Sequence, residues 1–175
     1  MSVEYEESKT AKSHVATPRW VVESIYKIIK IEQFAQCWFP FNNYDSHFKL
    51  YADELELNYK ATHLFDDLGS DFFSTEPPRG CDLMISNPPF DKQNQIITRS
   101  FELIATGKIK SFAFLLPLST LETPYRAGLY EKHMDKLTFI IFKKRIKFLN
   151  KATSFNTACC WVLYNIKTPQ VITYI

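Results

Sequence analysis

Hydrophobic and polar positions alternate between helical and extended patterns along the chain. Apolar residues recur at helical spacing between Trp20 and Ile29, which predicts a first helix over residues 18–30, with Thr17 as its N-cap and Pro18 in its first turn. Apolar runs predict strands over residues 34–39, 59–65, 81–86, 111–116, 137–142 and 157–165, and helical spacing predicts further helices over residues 45–57, 91–106 and 121–134. Asp45 or Ser46 is the expected cap of the second helix. This alternation is typical of the α/β class: a mostly parallel central sheet with helices on both faces.

Ligands of such sheets bind where the strands end, near the point at which strand order reverses. The segments to search for chemistry are therefore residues 39–46, 66–72 and 87–90.

The length of 175 residues corresponds to a single domain over residues 1–175, with residues 1–12 as a flexible tail and no separate target-recognition domain. No apolar run is long enough to span a membrane, and the polar N-terminal segment is unlike a secretory signal, so we expect a cytoplasmic protein with no membrane partner. The four cysteines lack paired spacing, which favours buried free thiols over a metal site or disulfides: Cys37, Cys81, Cys159 and Cys160.

Charge is distributed unevenly along the chain. Residues 1–87 carry 8 basic and 14 acidic side chains, whereas residues 88–175 carry 13 basic and 5 acidic ones. This asymmetry makes a polyanionic partner for the second half plausible, although solvated charged faces would produce the same count.

The tetrapeptide Asn87-Pro88-Pro89-Phe90 follows a predicted buried strand directly. Proline fixes its own φ and keeps the preceding residue extended, so the segment is stiff and lacks two backbone donors. The Asn87 side-chain oxygen and the Pro88 carbonyl are then acceptors suited to the two hydrogens of an amino group, and Phe90 offers a flat face for a planar base or amide. The structural alternative is a rigid turn closed by an aromatic side chain.

The strand followed by Asn-Pro-Pro-Phe resembles the catalytic motif of class I S-adenosylmethionine-dependent methyltransferases that modify amino nitrogens, chiefly adenine-specific DNA and RNA methylases. Over about residues 13–166 the order of segments resembles small phage-type methyltransferase-like proteins: Thr17-Pro18, Phe39-Pro40-Phe41 through Ser46, Asp71-Phe72-Phe73, Asn87 to Phe90, Leu115-Leu116-Pro117-Leu118 and Arg145-Ile146-Lys147-Phe148. The resemblance implies a Rossmann-like methyltransferase fold. It also implies that Asn87, Pro88, Pro89 and Phe90 orient and stack the target base.

The resemblance further implies an S-adenosylmethionine site. Asp71 and Phe72 match the family's position after its third strand, where they would hold the cofactor's adenine. Asp66, or alternatively Asp67 or His63, would bind the ribose. Thr17 lies where the family's opening segment approaches the amino-acid moiety, and the loop after the first strand would contribute Phe39, Pro40, Phe41, Asn42 and Ser46.

That loop departs from the family pattern because it contains no glycine, the residue that usually lets the backbone approach the cofactor. Asn42 and Asn43 tolerate positive φ better than other residues, and amides near Ser46 could bind a carboxylate. A second hypothesis is therefore a methyltransferase-fold protein that binds nucleic acid or a protein partner without catalysis.

Residues 143–151 are basic and include an aromatic residue, which suits phosphate contact and base stacking by Lys144, Arg145, Lys147 and Phe148. A solvated strand end is the alternative. We expect DNA or RNA as the partner, with a protein partner as a source of specificity. Protein glutamine amides are a further substrate class, because enzymes with Asn-Pro-Pro-aromatic motifs also methylate them.

Overall fold

The computed structural model describes residues 16–43, 45–64, 69–148, 157–168 and 172–175. Within these ranges the α-helices are α1 (Arg19–Ile29), α2 (His47–Glu54), α3 (Gln93–Ala105) and α4 (Pro124–Glu131). The strands are β1 (Cys37–Pro40), β2 (Tyr59–Thr62), β3 (Cys81–Ser86), β4 (Ile109–Pro117), β5 (Leu137–Ile141), β6 (Cys159–Tyr164) and β7 (Ile172–Tyr174).

All of these strands belong to one sheet, in the order β2-β1-β3-β4-β6-β5-β7. Pairing is parallel from β2 to β4 and again between β5 and β7, whereas β6 runs antiparallel to both of its neighbours. The predicted α/β class with a mostly parallel sheet is confirmed. Strands β1 to β5 consequently all end at the same end of the sheet, which we call the carboxyl end; their last residues are Pro40, Thr62, Ser86, Pro117 and Ile141.

Two hydrophobic cores cover the two faces of the sheet, as expected for helices on both sides. The first core contains buried residues of α1 and α2, such as Ile25 and Phe48, packed against Phe39 and Trp161. The second contains residues of α3 and α4 with alternate residues of the same strands, including Trp38. Alternation along each strand explains why neighbours such as Trp38 and Phe39 enter opposite cores.

The first strand begins later than predicted. Residues 34–36 do not join the sheet, because the Asp82 carboxylate accepts hydrogen bonds from the amides of Ala35 (3.0 Å) and Gln36 (3.3 Å). Lys110 also binds this carboxylate at 2.6 Å. These contacts lower the pKa of Asp82, with the Lys110 interaction as the largest cause. The carboxylate thus replaces strand pairing for this segment.

Several helices are shorter than predicted. The helix predicted over residues 91–106 begins only at Gln93, because residues 91–92 belong to a 3-10 turn. The helix predicted over residues 121–134 spans only Pro124–Glu131, and residue 121 ends another 3-10 turn. Thr17 is not the cap of α1: Pro18 occupies the N-cap position and no side chain caps that end. Ser46, one of two predicted caps, does cap α2 by accepting from the Phe48 amide at 3.3 Å.

β7 was not predicted, because three residues at the end of a chain carry too short a pattern. All four cysteines are buried and free, as expected, and burial raises the pKa of each thiol to about 12. Among the described residues, no helix is long and apolar enough to cross a membrane.

Candidate active site

The order of the strands places a reversal between β1 and β3. The chain passes from β1 to β2 on one side and returns to β3 on the other side of β1. In open α/β sheets the crevice outside the carboxyl ends of two such strands is where ligands bind. The loop after β1 and the Asn-Pro-Pro-Phe segment after β3 are therefore brought together, as the sequence predicts.

Asn87 follows β3 directly and is partly buried. Its amide nitrogen Nδ2 donates a hydrogen bond to Thr17 Oγ1 at 3.1 Å. The Thr17 carbonyl in turn accepts from Nδ1 of His47 in α2 at 2.8 Å. Because Nδ2 is bound to Thr17, the orientation of the Asn87 side-chain amide is fixed. Its oxygen Oδ1, a hydrogen-bond acceptor, lies on the other side of the amide group.

The prolines lead the chain from β3 into a short 3-10 turn. Pro88 is buried, and the Pro89 carbonyl accepts from the Lys92 amide at 3.2 Å. Phe90 begins the turn over Phe90–Lys92 and packs, partly exposed, against the first core. Two residues thus anchor the tetrapeptide: Pro88 through its buried ring and Phe90 through its contact with the first core.

A network around Asn42 ties β1, β3 and α2 together. Asn42 Nδ2 donates to the Pro40 carbonyl and to Ser86 Oγ, both at 2.8 Å, and the Asn42 amide donates to the Thr62 carbonyl at 3.1 Å. Ser46 Oγ donates to Asn42 Oδ1 at 2.6 Å. Ser86 Oγ also donates to the Pro40 carbonyl. Asn42 is only 7% exposed, so it holds the loop from within instead of facing the crevice.

Phe41 adopts the left-handed conformation in this loop, which contains no glycine. Its φ is 66°, whereas Asn42 and Asn43, the loop residues that tolerate positive φ better, do not adopt it. The Asn42 side chain is instead held by hydrogen bonds at the ends of β1 and β3. The Phe41 ring packs on Phe72 with centroids 4.8 Å apart, and so belongs to the second core.

Two further residues expected to bind a cofactor, Phe39 and Pro40, are the last residues of β1. The Phe39 side chain is fully buried and stacks on Tyr59 at 4.8 Å, so its expected cofactor contact disagrees with its place in the first core. Pro40, the last residue of β1, is also buried.

Asp71 and Phe72 lie beside the loop after β1 through the contact between Phe72 and Phe41. Phe72 is 3% exposed and stacks on Trp38 at 5.5 Å, and Asp71 Oδ1 accepts from the Phe73 amide at 3.1 Å. Among the described residues between β2 and β3, none forms the strand that the resemblance implied before Asp71. Asp66 and Asp67 lie outside the described residues, and His63 is buried directly after β2.

The basic segment after β5 also reaches the carboxyl end of the sheet. Ile146 is 2% exposed and Phe148 packs, partly buried, against the first core. Between these anchors and before them the charged side chains are exposed: Lys143, Lys144, Arg145 and Lys147. None of the four forms an ion pair with a carboxylate in the part of the chain that the structure describes.

A buried arginine that no sequence motif marks holds the segment after β4. Arg126, 5% exposed, donates to the carbonyls of Ser119 and Thr120, both at 2.9 Å, and to Asn94 Oδ1 at 2.7 Å. An arginine in a short polar helix carries no signal that separates this role from a solvated one. Ser86 at the end of β3 and His47 at the start of α2 also carry no sequence signal of the hydrogen bonds that they form. Within the described ranges no group of three or more His, Cys, Asp or Glu is placed to hold a metal ion.

No known family model matches the sequence, and no curated protein is detectably similar to it. Solved structures do resemble it. One is described as a modification subunit of a type I restriction enzyme from Vibrio vulnificus; its TM-score is 0.59 at 14% identity, over 95% of this chain and 47% of that one. Another is the 23S rRNA methyltransferase ErmE, with a TM-score of 0.52 at 10% identity, over 90% of this chain and 72% of that one. The chain thus spans about half the length of the first structure. Its fold is the Rossmann-like fold of methyltransferases.

Proposed function

We propose that the protein is an S-adenosylmethionine-dependent methyltransferase that acts on an exocyclic amino nitrogen, with adenine in DNA or RNA as its target. The observation that carries this proposal is the Asn87-Pro88-Pro89-Phe90 segment at the strand-order reversal, with the Asn87 amide oriented by Thr17. An asparagine fixed in this way beside stiff proline backbone is suited to accept hydrogen bonds from an amino group.

The loop after β1 fits the cofactor despite its lack of glycine. Phe41 adopts the left-handed conformation itself, and its ring is directed to Phe72 in the second core. The capped start of α2 at Ser46 faces the same loop, which suits a carboxylate. Thr17, Phe41, Ser46, Asp71 and Phe72 are the described residues that we assign to this site. Asn42 supports the loop from within, and Asp66, expected at the ribose, lies outside the described residues.

Bound S-adenosylmethionine supplies a methyl group already activated by its sulfonium. Asn87 Oδ1 and the Pro88 carbonyl accept from the target amine and aim the nitrogen lone pair at the methyl carbon, while Phe90 stacks on the base. In such a complex the cofactor would supply the methyl group and its sulfur would keep the electron pair of the carbon–sulfur bond, while the amine would lose one proton to water. Orientation contributes most of the rate, so no dedicated acid or base is required.

The exposed cations after β5 support a nucleic acid substrate. Lys144, Arg145 and Lys147 project from the segment that Ile146 and Phe148 anchor to the first core. β5 lies three strand positions from β3, which is about 14 Å at ~4.8 Å per strand. When a base is bound at Asn87, nearby phosphates of the same nucleic acid strand are therefore within reach of these side chains.

Calorimetry with S-adenosylhomocysteine, followed by a turnover assay of Asn87→Ala, tests the proposal. We expect micromolar binding by the native protein, near-native binding by the variant, and loss of its methyl transfer. Asn58→Ala is the matched control: Asn58 lies before β2 at the opposite end of the sheet, bound to the Ala35 carbonyl and to Gln36. Full turnover by Asn87→Ala would overturn the catalytic assignment.

A second candidate function is a binding protein that retains this fold without catalysis. The observation in its favour is the loop itself, where Phe41 occupies the position of a glycine and the Asn42 network closes the strand ends. Absence of heat with millimolar S-adenosylhomocysteine, together with binding of an oligonucleotide, would select this candidate.

A further inference from the structure

Trp20 stands out among the three tryptophans of the chain. Trp38 and Trp161 are fully buried in the two cores, whereas Trp20 is 50% exposed in the first turn of α1. Its ring meets Phe142 in a T-shaped contact with centroids 5.8 Å apart. A half-exposed indole leaves apolar surface in contact with water. Stacking of another planar group on the ring would bury that surface, which is favourable.

Trp20 lies close to both parts of the proposed site. Thr17, which accepts from Asn87, precedes it by three residues, so the Cα atoms of Thr17 and Trp20 are no more than about 11 Å apart. On its other side Phe142 is followed directly by the exposed cations Lys143, Lys144 and Arg145. The backbone there is held by the residue after β7, because the Lys143 amide donates to the Ile175 carbonyl at 2.7 Å.

We infer that the exposed ring of Trp20, held by its T-shaped contact with Phe142, is a stacking platform for a base next to the target, and that Lys143, Lys144, Arg145 and Lys147 bind the phosphates of the same single strand. Exposed aromatic rings beside unpaired cations are the arrangement by which proteins bind single-stranded nucleic acid without reading its sequence. In a duplex the flat faces of the bases are covered by their neighbours, so a stacking platform selects unpaired strands. Arg19 does not join the phosphate site, because Glu23 and Glu54 bind its guanidinium.

This inference deepens the proposed function by naming its substrate class, and it rests on that function for the position of the target base. Oligothymidylate separates the two, because thymine has no amino group to methylate. The readout is intrinsic fluorescence: with Trp38 and Trp161 fully buried, quenching on titration reports Trp20. Failure of methyl transfer would leave this binding result intact.

We expect oligothymidylate to quench the native protein, and Trp20→Ala to bind it about tenfold more weakly, since one stacked base contributes a free energy of that order. Trp20→Phe should retain most of the affinity without the quenching. Met134→Ala, an apolar residue of similar exposure (47%) before β5, is the control that should bind normally.

Salt dependence tests the phosphate contacts. Four cations predict a slope of log affinity on log salt of about −2.8 for a single strand, and Lys144→Ala with Lys147→Ala should reduce its magnitude by about 1.4. Lys132→Ala with Lys136→Ala, both at the opposite end of the sheet, should not change it. Native affinity of Trp20→Ala, no binding of oligothymidylate, or equal binding of a duplex would each overturn the inference.

Discussion

Asn87 and Thr17, 70 positions apart in the sequence, are joined by a hydrogen bond of 3.1 Å from Nδ2 to Oγ1. Thr17 is 7% exposed and its carbonyl is held by His47. The segment before α1 therefore orients the side-chain amide of the Asn-Pro-Pro-Phe segment. Thr17 acts here as a positioning residue for Asn87, in addition to its predicted approach to the cofactor.

Replacement of Thr17 by valine removes the acceptor and keeps the shape. The Asn87 amide then loses its fixed orientation, and we expect kcat to fall about tenfold, the order of one neutral hydrogen bond. The Kd for S-adenosylhomocysteine should change far less. Thr17→Ser, which keeps the hydroxyl, should restore turnover; a serine variant as slow as the valine variant would contradict this role.

Asn42 is expected to be the most sensitive polar residue of the loop. Asn42→Ala removes the bonds to the Pro40 carbonyl, Ser86 and Ser46 together, and the free energy of unfolding should fall by about 2–4 kcal/mol. Urea unfolding measures this change. The exposed Asn58→Ala serves as the comparison, and an equal loss in both variants would show that the network is not special.

The backbone conformation of Phe41 can be tested by comparing the stabilities of two variants at this position. Both Phe41→Ala and Phe41→Gly lose the contact with Phe72, but only alanine retains a side chain strained at φ 66°. The glycine variant should therefore be more stable by about 1 kcal/mol, the reverse of the order at ordinary positions. Urea unfolding of the pair, with alanine the more stable, would exclude a left-handed residue here.

The lowered pKa of Asp82 makes the free energy of unfolding depend on pH. Its pKa is lowered in the folded state, chiefly by Lys110 and then by the Ala35 and Gln36 amides. A lowered pKa stabilises the fold above the unfolded value of about 3.9 and loses that effect as pH falls below it. Asp82→Asn should therefore be less stable than the native protein at pH 7, with the difference shrinking towards pH 3. A difference independent of pH, measured by thermal unfolding, would contradict this.

How much could be read from the sequence differs between the fold and the site. Apolar periodicity was enough to predict six strands and their alternation with helices, because burial on a parallel sheet imposes continuous runs such as Cys81–Ser86. It could not predict that residues 34–36 leave the sheet, since that depends on a carboxylate 46 positions away. The antiparallel placement of β6 likewise depends on long-range pairing.

For the site, the local stiffness of Asn87-Pro88-Pro89-Phe90 made the motif visible in sequence alone. The partner of Asn87 was not visible, because a Thr-Pro pair is typical of a helix start and Thr17 was predicted as a cap. Asparagine tolerates positive φ better than phenylalanine does, so the neighbouring asparagines gave no sign that Phe41 holds the left-handed conformation while Asn42 is bound to Ser86.

Methyl transfer to a single-stranded oligonucleotide is the most direct test of the central claim. The protein is incubated with isotopically labelled S-adenosylmethionine and an adenine-containing strand, and the nucleosides are analysed by mass spectrometry. A matched strand carries purine, which lacks the amino group, in place of adenine. We predict one labelled methyl group on the adenine amino nitrogen, absent from the purine strand and from Asn87→Ala. Bound cofactor without labelled adenine in any strand would contradict the assignment.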